Sequence, residues 1–290
     1  MNNLQYQKAK NEKTLSTLGN RAIGLEPINL SKCKRSSLLI DTETIGDITK
    51  GEKAYPYDIS FLQVKNGSIY HQISYINQDI FDNEYLMNNA FYKNKIPFYK
   101  KALSSDKRYI KKQDKNILEE LNDFIKSNKI TYFMAYNVKF DYNSINNLFE
   151  LSKNQNIKNE FKKLYVIDIW KIATDIIKMF NELYEQFMIF CYKNNYITES
   201  GLNVQTGAEC MNRFVNNDTT FEECHTGLED TFCELNILQK MLWYYKKHTG
   251  LDYYYKLDSI FNPHGNVFKD GAFNVSHIPY ILEKNNLVMA

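Results

Sequence analysis

No cysteine in this chain has a partner at Cys-x-x-Cys spacing, and the five present (Cys33, Cys191, Cys210, Cys224 and Cys233) are an odd number. That pattern argues against a zinc knuckle and against a disulfide framework, so the thiols are expected to be reduced and mostly buried. An apolar run of about eighteen residues is also missing, and with it a membrane-spanning helix. The opening MNNLQYQKAKNEKTL lacks the apolar centre of a secretion signal, so the expected address is cytoplasmic, with no membrane partner. Net charge is nearly absent too. The 36 basic and 34 acidic residues leave +2, which excludes no function class, because a nucleic-acid enzyme can confine its positive charge to one groove.

What is present suffices for a core: 290 residues, 43% of them hydrophobic, allow one large domain with attachments. Residues 1–34, rich in Asn, Lys and Ser without a sustained period, are expected to form a flexible arm. The first patterned stretch is Leu38-Leu39-Ile40-Asp41-Thr42-Glu43. A strand turns alternate side chains to one face, so Asp41 and Glu43 point the same way. Like charges side by side raise a pKa or recruit a cation, although such a pair taken alone reads as a solvated turn.

Strand-like runs follow at 58–64 and 68–76, joined by Lys65-Asn66-Gly67, a hairpin signal. Residues 77–113 are too long for a plain connection. Within them, 93–112 carries eight basic residues (Lys93, Lys95, Lys100, Lys101, Lys107, Arg108, Lys111, Lys112) against Asp106, a local +7 that leaves the remainder at about −5. Phe91, Tyr92, Phe98, Tyr99 and Tyr109 interleave with them. Basic residues for phosphates and rings for bases suit a single strand, and a solvated helical face is the competing reading.

From Asp114, a plausible N-cap, Ile117, Leu118, Leu121, Phe124 and Ile125 recur at helical spacing. Strands are expected at 130–136 and 164–167, each followed by a helix, then helices at 183–192, 204–215 and 228–245. The pattern is α/β: a mixed five-stranded sheet, three antiparallel strands then two parallel, flanked by helices.

Acids recur at two further element ends. Asp141 follows the fourth strand and by itself reads as a helix-start acid. Asp230 opens an apolar helical stripe with no Lys or Arg one turn away, and a buried carboxylate is costly unless paired. His225, at the mouth of that helix, by itself reads as structural or capping. Together, four carboxylates without a Cys/His set suit hard divalent cations such as Mg²⁺ or Mn²⁺, and two such ions can drive phosphodiester hydrolysis. A neutral histidine supplies the base.

Ile40-Asp41-Thr42-Glu43-Thr44, Asn137-x-x-Phe140-Asp141 and His225-x-x-x-x-Asp230 resemble, in order, the three motifs of the DEDDh (DnaQ-like) 3′-to-5′ exonucleases. The neighbourhood Phe221 to Asp230 and Asp168-Ile169-Trp170-Lys171 resemble the stand-alone or proofreading-type members of phages and low-GC bacteria. The resemblance implies a ribonuclease-H-like fold. It implies that Asp41, Glu43 and Asp230 hold the ion carrying the attacking water, and that Asp41 bridges to a second ion served by Asp141. His225 would be the general base. Thr44 and Ile45 match positions meeting the terminal nucleotide, Asn137 one near its sugar and phosphate, and Phe140 belongs with these substrate-binding positions. Tyr136 stands where many members carry His, Gly227 where Ala is commoner, and 77–113 lies outside the family core.

The expectation is therefore a two-metal 3′-to-5′ exonuclease acting on single-stranded or frayed DNA in preference to RNA, in proofreading or trimming. Its domain would be 35–248, with a C-terminal appendage at 249–290. The alternatives are an exoribonuclease of the same fold, a non-catalytic nucleic-acid-binding module, or a subunit docked on a DNA polymerase.

Overall fold

The apolar run that ends in Asp41 becomes the inner strand of a sheet. The computed structural model describes residues 25–28, 36–46, 51–152, 159–256 and 273–287. The expected arm at 1–34 lies outside them apart from Leu25–Ile28, as do Cys33 and the turn signal at 262–265. The strands are β1 (Leu25–Ile28), β2 (Ser36–Ile45), β3 (Tyr55–Lys65), β4 (Ser68–Asn77), β5 (Tyr109–Lys112), β6 (Ile130–Ala135), β7 (Tyr165–Asp168) and β8 (Tyr253–Lys256). The chain divides into two compact units.

One unit comprises Asn29–Asp168 and Glu223–Leu235. Its sheet has the order β5-β4-β3-β2-β6-β7. The pairs β2–β3 and β3–β4 are antiparallel, while β6 runs parallel to β2 and β7 parallel to β6. This is the mixed sheet expected, three antiparallel strands followed by two parallel ones, with all five expected strands in the expected directions. A sixth strand, β5, extends the edge parallel to β4. It comes from the basic part of 77–113, where four residues are too few for a clear period.

The β3–β4 turn places Asn66 at φ 52° and Gly67 at φ 75°, the left-handed pair that a tight hairpin needs. Leu38, Leu39 and Ile40 are fully buried. A strand between two neighbours and covered on both faces reads as a continuous apolar run. The helices Asp114–Ser127 and Val138–Leu151 pack on the sheet. Gln113 takes the N-cap position of the first, so Asp114 sits in its first turn. The stretch 77–113 folds into the helices Gln78–Phe81, Glu84–Met87 and Ile96–Ser105 ahead of β5.

The other unit comprises Met1–Ile28, Ile169–Glu222 and Asn236–Ala290. It holds the helices Ile169–Met179, Asn181–Lys193, Ala208–Asn216 and Ile278–Lys284, and the antiparallel pair β1–β8. Phe187, Met188, Cys191, Met211 and Phe273 are fully buried within it. The helix expected over 204–215 starts only at Ala208, because Gly207 caps it in an extended conformation and the Val204 N–H is held by the Phe273 carbonyl at 3.0 Å. Cys191, Cys210 and Cys233 are buried free thiols, whereas Cys224 is exposed. Among the described residues, no helix is long and apolar enough to cross a membrane.

Candidate active site

Alternation along β2 turns Asp41 and Glu43 to one face, and the antiparallel register sets Ser60 opposite Asp41 and Asp58 opposite Glu43. Thr42 faces the other way. Its backbone N–H and its hydroxyl both donate to Asp141 Oδ1, at 2.9 and 2.8 Å. Asp141 reaches β2 because Asn137 takes a left-handed conformation, φ 61°, and turns the chain from β6 straight into the helix Val138–Leu151. Asn is among the residues that tolerate that conformation most readily. The third contribution comes from the start of the helix Gly227–Thr249, where Asp230 Oδ2 accepts the Thr226 N–H at 2.9 Å.

Carboxylate oxygens of Asp41, Glu43 and Asp230 lie within 4.8 Å of one another. Asp141 stands close enough to be the strongest like charge acting on Asp41. Burial is the first cause of the altered titration of every member, and neighbouring carboxylates add to it for Asp41, Glu43 and Asp230. It holds Asp41 and Glu43 well above the usual carboxylate range, with Asp141 and Asp58 the strongest opposing charges on them respectively. It pushes Asp141 up to about 7, against the lowering effect of both Thr42 hydrogen bonds, and Asp230 up to about 8.

The four expected acids therefore converge, and further acids that sequence reasoning did not assign surround them. Glu234, one turn beyond Asp230, is buried. It accepts a hydrogen bond from the Tyr136 backbone, and its Oε2 has no hydrogen-bond partner among the described residues. Its charge is the second strongest acting on Asp41. The only available signal was its i, i+4 spacing from Asp230 on the helix.

Asp58 is fully buried and accepts from Ser60 Oγ (2.7 Å), Ser74 Oγ (2.8 Å), Tyr99 OH (2.7 Å) and the Gly227 N–H (3.2 Å). Burial pushes it up to about 6, and these donors hold it from rising further. Buried bonds thus interlock the three motif segments: Thr42 to Asp141, Tyr136 to Glu234, and β3 to Gly227.

A cleft of about 1180 Å³ opens on this face, lined by Asp41, Glu43 and Asp230 together with His225 and Glu223. Of the expected substrate positions, Thr44, Ile45 and Phe140 line it as well. Asn137 is not among the lining residues, and the effect visible here is its turn conformation. His225 is in the left-handed region, φ 51°, with Nδ1 3.9 Å from Glu223 Oε2. Its ring lies flat against Tyr92, with centroids 4.2 Å apart and planes at 9°.

The basic stretch 93–112 contributes no residue to the lining. Arg108 is held by Asp106, Lys111 by Asp82 at 2.8 Å, and Lys112 by Glu120. Tyr99 and Tyr109 are buried, the latter donating to Glu229. The segment 77–113 instead gives the cleft Tyr85, Leu86, Asn89, Phe91 and Tyr92. At the cleft, this segment therefore contributes rings and no basic side chain.

The raised acids fix the sign of a pH effect. Unfolded Asp titrates near 3.9, so between about pH 4 and pH 8 the folded protein binds more protons than the unfolded chain, and stability falls as pH rises through that window. A divalent cation needs the ionised acids and reverses the trend. Thermal unfolding with EDTA should therefore give a lower Tm near pH 8.5 than near pH 6, and the Tm increment from Mn²⁺ should be larger at the higher pH. A cation increment that does not depend on pH would count against this coupling.

No protein-family model matches the sequence, and no curated protein matches it. Among solved structures, the chain is similar to one described as "3'-end specific recognition of histone mRNA stem-loop by 3'-exonuclease", at 11% identity and a TM-score of 0.46, over 81% of this chain and 70% of that one.

Proposed function

We propose that this chain is a divalent-metal-dependent exonuclease that removes mononucleotides from the 3′ end of a single-stranded or frayed strand, DNA in preference to RNA. The observation that carries the reading is the meeting of Asp41, Glu43 and Asp230 in one cleft with His225, with the buried Asp141 acting on Asp41 from behind. Carboxylates forced together without a cationic side chain, one buried neighbour keeping an oxygen unbonded, form a donor set that fits a hard divalent ion. Asp41, Glu43 and Asp230 would hold one ion, and Asp41 with Asp141 a second. When bound, such ions activate water and stabilise the leaving oxygen.

The chain's own residues do the rest. Thr42 fixes Asp141 through one oxygen, Oδ1, with two hydrogen bonds. Glu223 beside Nδ1 favours a proton on that nitrogen, so Nε2 of His225 takes the proton from the attacking water. Thr44, Ile45 and Phe140 wall the place of the terminal nucleotide.

Matched 5′-labelled DNA and RNA oligomers, incubated with Mg²⁺ or Mn²⁺, test the reading. Stepwise shortening from the 3′ end, faster for DNA, is expected. Intact strands under both ions would sink it, and faster loss of RNA would move the assignment to an exoribonuclease. His225→Ala should lower kcat by a factor on the order of 10²–10⁴, the usual contribution of a general base, while Mn²⁺ binding measured by calorimetry is retained.

A further inference from the structure

The cleft has an unusual charge balance for a surface meant to receive a polyanion. Asp41, Glu43, Glu52, Glu223 and Asp230 line it, and the one lysine among its described lining residues, Lys53, pairs with Glu150 at 2.9 Å. Metal ions can neutralise the scissile phosphate, but among the described lining residues acids outnumber lysines five to one, which leaves little positive charge for the nucleotides behind it. What the same wall offers is aromatic surface. Phe91 is 82% exposed and Tyr85 78% exposed, and both line the cleft.

Single exposed rings on a protein surface need no explanation. Two rings at one cleft, with a third beside them, are a different case. Tyr92 stacks on His225, and Phe91 packs edge-on against Tyr92 with centroids 4.8 Å apart and planes at 85°. Phe91 thus packs against a ring that itself stacks on His225, while most of its own surface stays open to solvent. The run Phe91, Tyr92, His225 leads from the cleft rim to the acids.

We propose that Phe91 and Tyr85 form a nucleobase shelf, on which the unpaired bases of the strand entering the cleft stack. Every base has a π-face, so such a shelf binds without reading sequence, and it supplements the scarce lysine contacts. Bases held in a duplex already stack on their neighbours and cannot use it. The shelf therefore selects unpaired 3′ ends. The assignment rests on the nuclease reading of the cleft, and the test separates the two.

The full chain is titrated, with Ca²⁺ present, into a single-stranded DNA carrying 2-aminopurine at its last two 3′ positions, and into the same strand with abasic sites there. Stacking should quench the fluorophore, and the base-bearing end should bind roughly tenfold more tightly than the abasic one. In Phe91→Ala/Tyr85→Ala both effects should vanish while affinity for the abasic strand is unchanged. Phe91→Trp with Tyr85 intact should keep both, which an effect on folding alone would not produce. A wild-type protein that fails to discriminate, or a double variant that still quenches, overturns the shelf.

Hydrolysis of the same strands with Mg²⁺ reports on the nuclease reading independently. Quenching without hydrolysis would remove the exonuclease assignment and leave the shelf. Hydrolysis with an unaltered KM in the double variant would remove the shelf alone.

Discussion

Asp41→Ala and Asp230→Asn are each expected to abolish 3′-end degradation while making the metal-free protein more stable. The two effects have one cause. Asp41 is opposed by Asp141, Glu234, Glu43 and Asp230, and burial withholds the water that would otherwise soften that repulsion. Removing one member relieves the others and raises the metal-free Tm. The same change takes away one of the three carboxylates whose oxygens lie within 4.8 Å of one another. Loss of a fixed electrostatic element of this kind lowers kcat by a factor on the order of 10³ or more. Activity on a labelled oligomer, with Tm measured in EDTA and in Mn²⁺, checks both halves. Full activity in Asp41→Ala would end the assignment. Inactivity with a lowered metal-free Tm would instead mean that Asp41 is structural.

Asp58→Ala is expected to be the most damaging change away from the cluster itself. It leaves two serine hydroxyls, the Tyr99 hydroxyl and the Gly227 N–H facing an apolar methyl in a buried space. With a cost of about 1–3 kcal/mol for each buried group left unsatisfied, the total loss should reach roughly 3–5 kcal/mol. Activity should fall even in the molecules that stay folded. Gly227 carries the helix start that holds Asp230, and Tyr99 carries the helix Ile96–Ser105 next to the ring-bearing segment. Denaturant unfolding gives the first number and specific activity at low temperature the second. A loss below about 1 kcal/mol would show that the hydroxyls and Gly227 find new partners.

These predictions fall on residues of unequal visibility in the sequence. Asp41, Glu43 and Asp141 were legible because each follows an apolar strand, and Asp230 because it opens an apolar helical stripe where an unpaired acid is costly; singly each has an ordinary reading, and together they match the three motifs. The five expected strands were legible for a similar cause, since Leu38 to Ile40 cannot be anything but interior. Asp58 was not. It sits inside a strand that otherwise reads as ordinary, and its meaning comes from Gly227, 169 residues away. Glu234 looks like any polar position on a long helix until Tyr136 is brought against it by the fold. The stretch 93–112 allowed two readings in the sequence, a strand-binding surface and a solvated helical face. Its local charge was real, but Asp82 and Glu120, which neutralise Lys111 and Lys112, lie outside it, and a window on the chain cannot see them.

The close approach of Gly227 to β3 limits how this chain could vary. A methyl group at 227 would stand 2.9 Å from Ser60 Cβ and 3.0 Å from both Asp58 Oδ2 and Ser60 Oγ. The space between strand and helix start thus has room for one side chain, and β3 already fills it. Alanine at 227 would require position 60 to give up its side chain and the Asp58 carboxylate to shift by a few tenths of an ångström. Positions 60 and 227 are therefore expected to change as a pair across descendants of this sequence, a correlated exchange of one carbon between distant parts of the chain.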